Sequence, residues 1–367
     1  MTSKAVIGLG FGDEGKGLTT NFLCLQNPDA LVVRYSGGQQ AGHTVVLDGK
    51  RHVFSNFGSG TLNGNPTYWS RFCTLDPFGL YNEMQILLKL GAVPFIYIDG
   101  KCPITTPMDK NYNQIGEDMR NGTCGVGVGT TLAREEKFHS ILFEDLFFPS
   151  VLDFKLDLLV KNYYPDRLKV QEQIDVFKHC VKYITEHRNI KLTYGVPKNN
   201  GLIFEGSQGL LLDQHYGFFP HVTRSNTGSV NIAELGYIPE FFCITRAYQT
   251  RHGNGPMTNE DIEHKFNLNP LETNVFNDFQ GKFKVSLLDL DLLEYGIMKD
   301  SLISRHRDNL VITCLDQVKD DLRFTYKEGT YHATKADTFC LAINEILKFK
   351  HVWLSDSDES HNLTQIL

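Results

Sequence analysis

Apolar and polar residues follow one another in blocks that predict strands and helices in turn along the 367-residue chain. Apolar runs bounded by Gly, Asp or Ser are typical of buried strands, and they occupy residues 5–10, 31–37, 93–100, 201–206, 241–248, 309–316 and 351–356. Apolar residues recur every three or four positions, as in amphipathic helices, over residues 77–90, 170–188 and 336–349. This alternation predicts an α/β fold with a mostly parallel central sheet covered by helices on both faces.

The chain shows no internal repeat, no low-complexity tract and no linker between regions. We therefore expect residues 1–367 to form a single domain. Residues 100–170 have the weakest strand signal and many polar or glycine positions. This stretch is where we expect a subdomain or flap.

Composition narrows the class of protein. The chain is 41% hydrophobic with a formal net charge of −7, which is typical of a globular protein with a large core. It has no apolar run long enough for a membrane span and no signal-peptide pattern, so a cytoplasmic location is expected. The sequence has no long run of Lys and Arg, which argues against a nucleic acid as the main partner. Its eight cysteines form no C-x-x-C pair, which favours reduced thiols over a structural metal.

A glycine-rich loop, GFGDEGKG at residues 10–17, follows the first predicted strand. It is similar to the phosphate-binding pattern G-x-x-x-x-G-K-[ST], in which backbone N–H groups and the lysine bind phosphates. Gly17 replaces the Mg²⁺-binding hydroxyl, and Asp13 and Glu14 place two acids in an anion-binding loop. The loop predicts a P-loop-like nucleotide-binding fold with altered chemistry.

Four further segments bring polar residues to the ends of predicted strands. They are GGQQAGHTVV (37–46), the long loop at 204–227, TRHGNGP (250–256) and TCLD (313–316). Alone, each has an ordinary structural explanation as a turn, a loop or a helix cap. Because open α/β sheets bind ligands at the carboxyl ends of their strands, we expect the segments to converge.

In combination these motifs resemble the adenylosuccinate synthetase family, which joins L-aspartate to C6 of IMP at the expense of GTP. The resemblance extends from Ala5 to about Asp356 and rests on GDEGKG, AGHTV, FEG-x-QG-x-LLD, P-x-VT-x-SNT, TR-x-G-x-GP and LD, in the family's order. It implies transfer of the γ-phosphoryl group to the purine C6 oxygen, followed by displacement of phosphate by the aspartate amine. It also implies a Mg²⁺ cofactor and a homodimer.

The resemblance assigns roles to individual residues of this chain. Asp13 would be the general base and, with the Gly42 carbonyl, a Mg²⁺ ligand; His43 would be the general acid, and Gln208 would bind Asp13 or the purine. The nucleoside triphosphate would contact Gly12, Glu14, Gly15, Lys16, Gly17, Asp316 and Ser355. The acceptor nucleotide would contact Gln40, Ala41, Cys124, Thr223, Arg224, Arg251 and His252, and aspartate would contact Lys282 and Lys284.

The sequence departs from the family pattern where substrates should bind. Gln40 replaces Asn, Cys124 replaces Thr, His252 replaces an apolar residue, and Lys282 and Lys284 replace arginines. Phe11, Arg224 and Cys314 stand where the family has Trp, Ser and Lys. The arginine that a partner subunit usually contributes would fall near Phe138, and Arg134 or Arg224 could replace it.

Alternatives stay open for the substrates and for catalysis itself. A phage branch of the family acts on dGMP, so IMP and dGMP are both candidate acceptors, and the donor could be GTP or another purine triphosphate. A regulator that keeps the fold without turnover is the alternative from another class. The presence of Asp13, Lys16, His43 and Gln208 together favours the enzyme, because a pure binder needs neither a base nor an acid.

Overall fold

The computed structural model describes residues 2–115, 123–137, 139–163, 170–272 and 283–367. Their strands are β1 (Thr2–Gly8), β2 (Leu31–Arg34), β3 (His43–Leu47), β4 (Lys50–Phe54), β5 (Thr67–Trp69), β6 (Ile96–Asp99), β7 (Ile190–Thr193), β8 (Gly201–Gly209), β9 (Glu240–Arg246), β10 (Tyr248–His252), β11 (Phe283–Asp289), β12 (Asn309–Thr313), β13 (Arg323–Tyr326), β14 (Gly329–His332), β15 (His351–Leu354) and β16 (Thr364–Gln365). Their α-helices are α1 (Lys16–Gln26), α2 (Pro77–Lys89), α3 (Pro107–Ile115), α4 (Val128–Glu136), α5 (Pro149–Tyr163), α6 (Gln171–Glu186), α7 (Val230–Glu234), α8 (Leu290–Lys299), α9 (Ser301–His306) and α10 (Ala336–Leu347).

A ten-stranded central sheet has the order β16-β15-β12-β9-β1-β8-β2-β5-β6-β7. Every neighbouring pair in it is parallel except β15 and β16. Each of the apolar runs named above overlaps a strand of this sheet, and the three helical patterns correspond to α2, α6 and α10. The predicted α/β fold with a mostly parallel sheet is confirmed.

Helices cover both faces of this sheet. On β1, Ala5 and Ile7 belong to a hydrophobic cluster that includes residues of α8, α9 and α10. Val6, which points to the opposite face, belongs to a cluster that includes Leu18 and Phe22 of α1. Successive side chains of a strand point to opposite faces, so the alternation separates two buried layers.

A second sheet has four strands in the order β10-β11-β13-β14, and its first strand follows directly after β9 of the central sheet. Only Ala247 separates β9 from β10, and its N–H donates to the Thr313 carbonyl at the end of β12. The strand β10 therefore starts at the carboxyl edge of the central sheet. This connection brings residues 248–252 close to the loop that follows β1.

The described part of residues 100–170 shares a hydrophobic core with its neighbours. Cys102, Ile104 and Phe143 belong to the same buried cluster as Leu80 and Met84 of α2. The single-domain organisation and a subdomain or flap at 100–170 stay predictions from the sequence.

Among the described residues, no helix is both long and apolar enough to cross a membrane. The eight cysteines are all free, and all but Cys124 and Cys314 are buried.

Candidate active site

A cavity of about 810 Å³ lies at the carboxyl ends of the central strands β1, β8, β9 and β12. Ligands of open α/β sheets bind at this edge. The cavity brings together residues distant in sequence, and the predicted site residues that line it are Gly12, Asp13, Glu14, Gly15, Lys16, Gly17, Gln40, Ala41, Gly42, His43, Gln208, His252 and Asp316. The expected convergence of the loops therefore occurs.

Six other predicted site residues do not line this cavity: Cys124, Thr223, Arg224, Arg251, Lys284 and Ser355. Lys282 and Phe138 lie outside the described residues. Ser355 is buried, and its hydroxyl donates to the Ser357 carbonyl, so it shapes the turn that follows β15. The substrate contacts assigned to these residues stay predictions.

The loop between β1 and α1 adopts left-handed backbone conformations at three positions. The φ angles are +95° at Gly12, +59° at Asp13 and +89° at Gly15. Glycine adopts such angles without penalty, and Asp is one of the few other residues that tolerate them. Thr313 donates from its hydroxyl to the Glu14 carbonyl at 2.9 Å. The loop is thus fastened to the end of β12, and Asp13 faces the cavity.

Glu14 and Lys16 form a buried pair inside the loop. The Glu14 carboxylate accepts a hydrogen bond from the Gly10 N–H, and its Oε2 lies 3.5 Å from the Lys16 Nζ. Burial raises the pKa of Glu14 despite the nearby lysine. The Lys16 ammonium is buried and has no hydrogen-bond partner among the described residues. A buried ammonium whose hydrogen-bond donors are not used by the described residues is a chemical fit for a phosphate oxygen.

His43 begins β3 and is oriented by Glu205 on β8. Its Nδ1 lies 2.6 Å from Glu205 Oε1, and this carboxylate also accepts hydrogen bonds from the N–H and hydroxyl of Ser59. Burial favours the protonated carboxyl, but the charge of His43 and its hydrogen bond outweigh burial and lower the pKa of Glu205. The ionised carboxylate holds the Nδ1 proton, which leaves Nε2 as the other reactive edge of the ring. Glu205 was not identified from the sequence, although the FEG motif contains it.

The two adjacent glutamines of the glycine-rich turn have different surroundings. Gln39 is satisfied by the chain, because its amide nitrogen donates to Thr105 and its amide oxygen accepts from Thr74. Gln40 lines the cavity, and its Oε1 is buried without a hydrogen-bond partner among the described residues. The same holds for Oε1 of Gln208. The cavity therefore offers two amide oxygens that can accept hydrogen bonds from a ligand.

Asp316 also lines this cavity and lies just after β12. The cavity wall beside it includes Asp356 and Asp358. Burial and these two carboxylates raise the pKa of Asp316. An acid here can accept hydrogen bonds from the N–H groups of a purine base.

Arg246 connects several walls of the cavity and was not identified from the sequence. Its guanidinium donates to the Asp13 carbonyl, to the Tyr248 hydroxyl at 2.6 Å and to Glu272 Oε2 at 3.0 Å. Glu272 and the preceding residues 267–271 line the cavity. No motif reveals this role, because it depends on contacts between β9, the loop after β1 and a segment between β10 and β11.

The contacts of Arg251 lie within the chain and stabilise its structure. It is 2% exposed and donates to the carbonyls of Pro256 and His221, at 2.7 and 3.0 Å. Its guanidinium also lies over the Phe11 ring, 4.2 Å from the centroid. Burial lowers the pKa of Arg251 to about 10. The predicted contact with the acceptor nucleotide would have to form in addition to these three interactions.

Replacing Arg251 with Lys should lower the free energy of unfolding by about 1–3 kcal/mol, because one ammonium cannot donate to both carbonyls and stack on the phenyl ring. Thermal unfolding followed by circular dichroism measures the loss. An unchanged melting temperature with a raised KM for the acceptor nucleotide would show instead that Arg251 acts mainly on substrate.

Neither candidate for the missing partner-subunit arginine lies in the cavity. All five N–H donors of Arg134 are used within the chain, by Asp109, Glu135 and the carbonyls of Ile104 and His139. Arg134 therefore has no donor left for a substrate in this arrangement, and the replacement of the partner-subunit arginine by Arg134 or Arg224 stays a prediction. Arg224 is half exposed and pairs with Glu136 of α4 at 3.2 Å.

The predicted aspartate-binding Lys284 pairs with Glu260 at 3.0 Å. This pair is partly exposed and leaves the lysine on the surface of β11. Its contact with aspartate stays a prediction.

A glycine-rich loop between the first strand and first helix, a buried lysine and a cavity at the strand ends define a nucleotide-binding α/β enzyme. The family model of adenylosuccinate synthetase matches residues 5–330. The chain is 30% identical over 341 residues to the adenylosuccinate synthetase of Halothermothrix orenii, covering 86% of this chain and 78% of that protein. It is also 30% identical over 353 residues to that of Blochmanniella pennsylvanica, covering 89% and 81%. The chain belongs to the adenylosuccinate synthetase family, and it is a ligase that forms a carbon–nitrogen bond in purine biosynthesis.

Solved structures share the fold at low sequence identity. A fully ligated adenylosuccinate synthetase from Plasmodium falciparum has a TM-score of 0.76 at 17% identity and covers 99% of each chain. The cyanophage S-2L succinoaminodeoxyadenylate synthetase, bound to dGMP and to dATP as an energy donor, has a TM-score of 0.67 at 14% identity, covering 99% of this chain and 95% of that one. The resemblance inferred from the motifs is confirmed, and with it the ligation of aspartate to a 6-oxopurine nucleotide with GTP.

Proposed function

We propose that this ligase acts through a 6-phosphoryl intermediate formed in the cavity described above. The observation that carries the proposal is that Asp13, Lys16, His43 and Gln208 line one cavity although they come from three separate segments. Asp13 takes the N1 proton of the purine, the N1–H electron pair moves toward O6, and O6 attacks the γ-phosphorus of GTP. The aspartate amine then displaces phosphate at C6.

His43 acts as the acid in the phosphoryl transfer. Because Glu205 accepts the Nδ1–H, it is the imidazolium form of His43 that can donate its Nε2–H to the oxygen leaving the γ-phosphorus. Lys16, whose ammonium has no hydrogen-bond partner among the described residues, binds the phosphates. Gln208 supplies its amide to Asp13 or to the purine edge.

The Asp13 carboxylate and the Gly42 carbonyl would hold Mg²⁺. Both residues line the cavity, and oxygen donors of this kind are the ligands that Mg²⁺ prefers. In the described part of the chain, no group of three or more His, Cys, Asp or Glu could hold a metal alone. This fits an ion that takes most of its ligands from phosphate and water. Bound there, Mg²⁺ supplies charge neutralisation at the β- and γ-phosphates.

The acceptor is a 6-oxopurine nucleoside monophosphate, and we propose that the site takes dGMP as well as IMP. The two nucleotides differ at purine C2, where dGMP carries an amine, and at the sugar, where dGMP lacks the 2′-hydroxyl. The unpartnered Oε1 of Gln40 can accept a hydrogen bond from that amine. The S-2L enzyme, which shares the fold, binds dGMP.

Steady-state assays with IMP, GMP and dGMP should show measurable turnover with dGMP and a preference for the deoxy sugar. A kcat/KM for IMP at least a hundredfold above that for dGMP would contradict the dGMP proposal and leave an IMP-specific enzyme. Such a ratio corresponds to about 2.8 kcal/mol, which one buried hydrogen-bonding group can supply.

Replacing Gln40 with Asn should lower kcat/KM for dGMP about 5- to 100-fold and change kcat/KM for IMP little, because the shorter amide no longer reaches the 2-amine. Gln39→Asn is the matched control, since Gln39 bonds to Thr105, Val126 and Thr74 of the chain and does not line the cavity. Equal losses with both acceptors would show that Gln40 does not read purine C2.

Catalysis is separated from simple nucleotide binding by one assay. Phosphate release from GTP should require aspartate and a 6-oxopurine nucleotide together. Nucleotide binding without such release would favour the alternative function, a nucleotide-binding regulator that keeps the fold without turnover.

Further parts of the proposal concern aspartate, assembly and location. Lys282 and Lys284 would bind the aspartate carboxylates as point charges. The family resemblance supports a homodimer, and analytical ultracentrifugation measures its mass. GTP, or another purine triphosphate read by Asp316, is the donor, and we propose that the enzyme works in the cytoplasm.

A further inference from the structure

We propose that His252 is a positioning residue for the Asp13 carboxylate. The Nε2 of His252 lies 3.7 Å from Oδ2 of Asp13, and both residues line the cavity. This inference rests on the proposed role of Asp13 as the base. It assigns His252 to the carboxylate of the general base Asp13 instead of to the sugar of the acceptor nucleotide.

The second sheet places His252 opposite the loop. His252 is the last residue of β10, and its backbone is paired with Phe283 of the neighbouring antiparallel strand β11. The imidazole packs against the Phe283 ring, with centroids 5.0 Å apart and an interplanar angle of 39°. The side chain is 13% exposed. The phenyl ring covers one side of the imidazole and limits its rotation.

The imidazole has unused hydrogen-bonding capacity. Neither Nδ1 nor Nε2 of His252 has a hydrogen-bond partner among the described residues, although both atoms are buried. Buried polar atoms of side chains usually have such a partner. The carboxylate of Asp13 is the acidic group that lies within 4 Å of this ring among the described residues, at 3.7 Å from Nε2. The unpartnered nitrogen therefore points to a contact that closes when the site is occupied.

The loop backbone around Asp13 is already fixed by neighbouring strands. Arg246 donates from Nε to the Asp13 carbonyl, and the Thr250 hydroxyl lies 3.4 Å from the Gly12 carbonyl. These contacts hold the main chain and do not involve the carboxylate. His252 is the residue of β10 that reaches the carboxylate itself.

A shift of about 1 Å converts the 3.7 Å approach into a hydrogen bond, and such contacts commonly tighten when substrate binds. The Nε2–H then donates to one lone pair of Oδ2, and the other lone pairs of the carboxylate stay available for the N1 proton of the purine and for Mg²⁺. Orienting one carboxylate oxygen in this way raises the fraction of enzyme that is ready to react. The effect requires a fixed N–H donor and no change in the charge of either group.

Two substitutions test the proposal: His252→Val, which removes the donor, and His252→Gln, which keeps an N–H donor at similar reach. The valine variant should lower kcat about 10- to 100-fold, with KM values for both nucleotides within about threefold of the wild type. The glutamine variant should recover kcat to within about fivefold. In an Asp13→Asn background, His252→Val should change kcat less than about twofold, because both act through the same carboxylate.

His264→Val is the matched control. His264 also packs on a phenyl ring, with centroids 4.2 Å from Phe266, but it does not line the cavity. Its kcat should stay within about twofold of the wild type. Circular dichroism verifies that each variant is folded, and the comparison of glutamine with wild type decides the question if the valine variant does not fold.

Three results would overturn the proposal. One is a raised KM or an altered deoxy-to-ribo preference in His252→Val with kcat unchanged, which would make His252 a sugar contact. Another is a kcat of His252→Gln as low as that of His252→Val. The third is a full effect of His252→Val in the Asp13→Asn background. By contrast, wild-type kcat in Asp13→Asn alone would refute the role of Asp13 as the base, and with it the proposed function.

Discussion

Asp13→Asn is expected to lower kcat about 10²- to 10⁴-fold, the range typical of a lost general base. The amide cannot accept the N1 proton of the purine, so O6 does not become nucleophilic. Binding of nucleotides should change much less, because Lys16 and the loop amides remain. Steady-state kinetics and nucleotide titration on the same preparation measure both quantities.

The backbone should survive this substitution. Asp13 has a φ of +59°, and Asn tolerates left-handed conformations as well as Asp does. Asp48→Asn is the matched control, because Asp48 has a φ of +50° in the exposed turn between β3 and β4 and lies outside the cavity. Activity of Asp13→Asn within about threefold of the wild type would rule out Asp13 as the general base.

His43→Asn is expected to lower the rate of phosphoryl transfer by about 10²-fold or more, because the acid facing the leaving oxygen is removed. The substitution also leaves the buried Glu205 carboxylate without its partner at 2.6 Å. We therefore expect a loss of stability of about 1–3 kcal/mol as well. Phosphate release from GTP and thermal unfolding report the two effects separately.

His52→Asn provides the matched control for His43→Asn. His52 is buried on β4 and pairs with Glu83 at 3.3 Å, but it does not line the cavity. The control should lose stability and keep kcat. If His43→Asn behaved like this control, His43 would have a structural role only.

Several elements could be predicted because their local pattern is sufficient. The buried parallel strands are covered on both faces and therefore appear as continuous apolar runs, as in 241–248 and 309–316. The strands β5 and β7 were missed because they are short and β7 is partly exposed at the sheet edge. The hairpin β3–β4 and the second sheet were also missed, since their strands mix polar and apolar residues.

The candidate site was predictable as a set of motifs but not as a set of contacts. The motifs identified Asp13, Lys16, His43 and Gln208, which the structure brings to one cavity. The motif identified Gln40 as the residue that meets the acceptor, but sequence could not show that Thr105 and Thr74 satisfy the amide of the adjacent Gln39. It also could not show that all donors of Arg134 are used within the chain.

The sequence by itself determined the fold class, the nucleotide-binding loop and the family, because each depends on residues that are close along the chain or on the order of motifs. The tertiary structure decided which side chains act on the reacting groups. Glu205 reaches His43 across 162 residues, and Arg246 reaches the Asp13 carbonyl across 233. His252 faces the carboxylate of Asp13 because β10 leaves the central sheet beside the loop. Such pairings follow from the order of strands in the sheets, which local patterns do not encode.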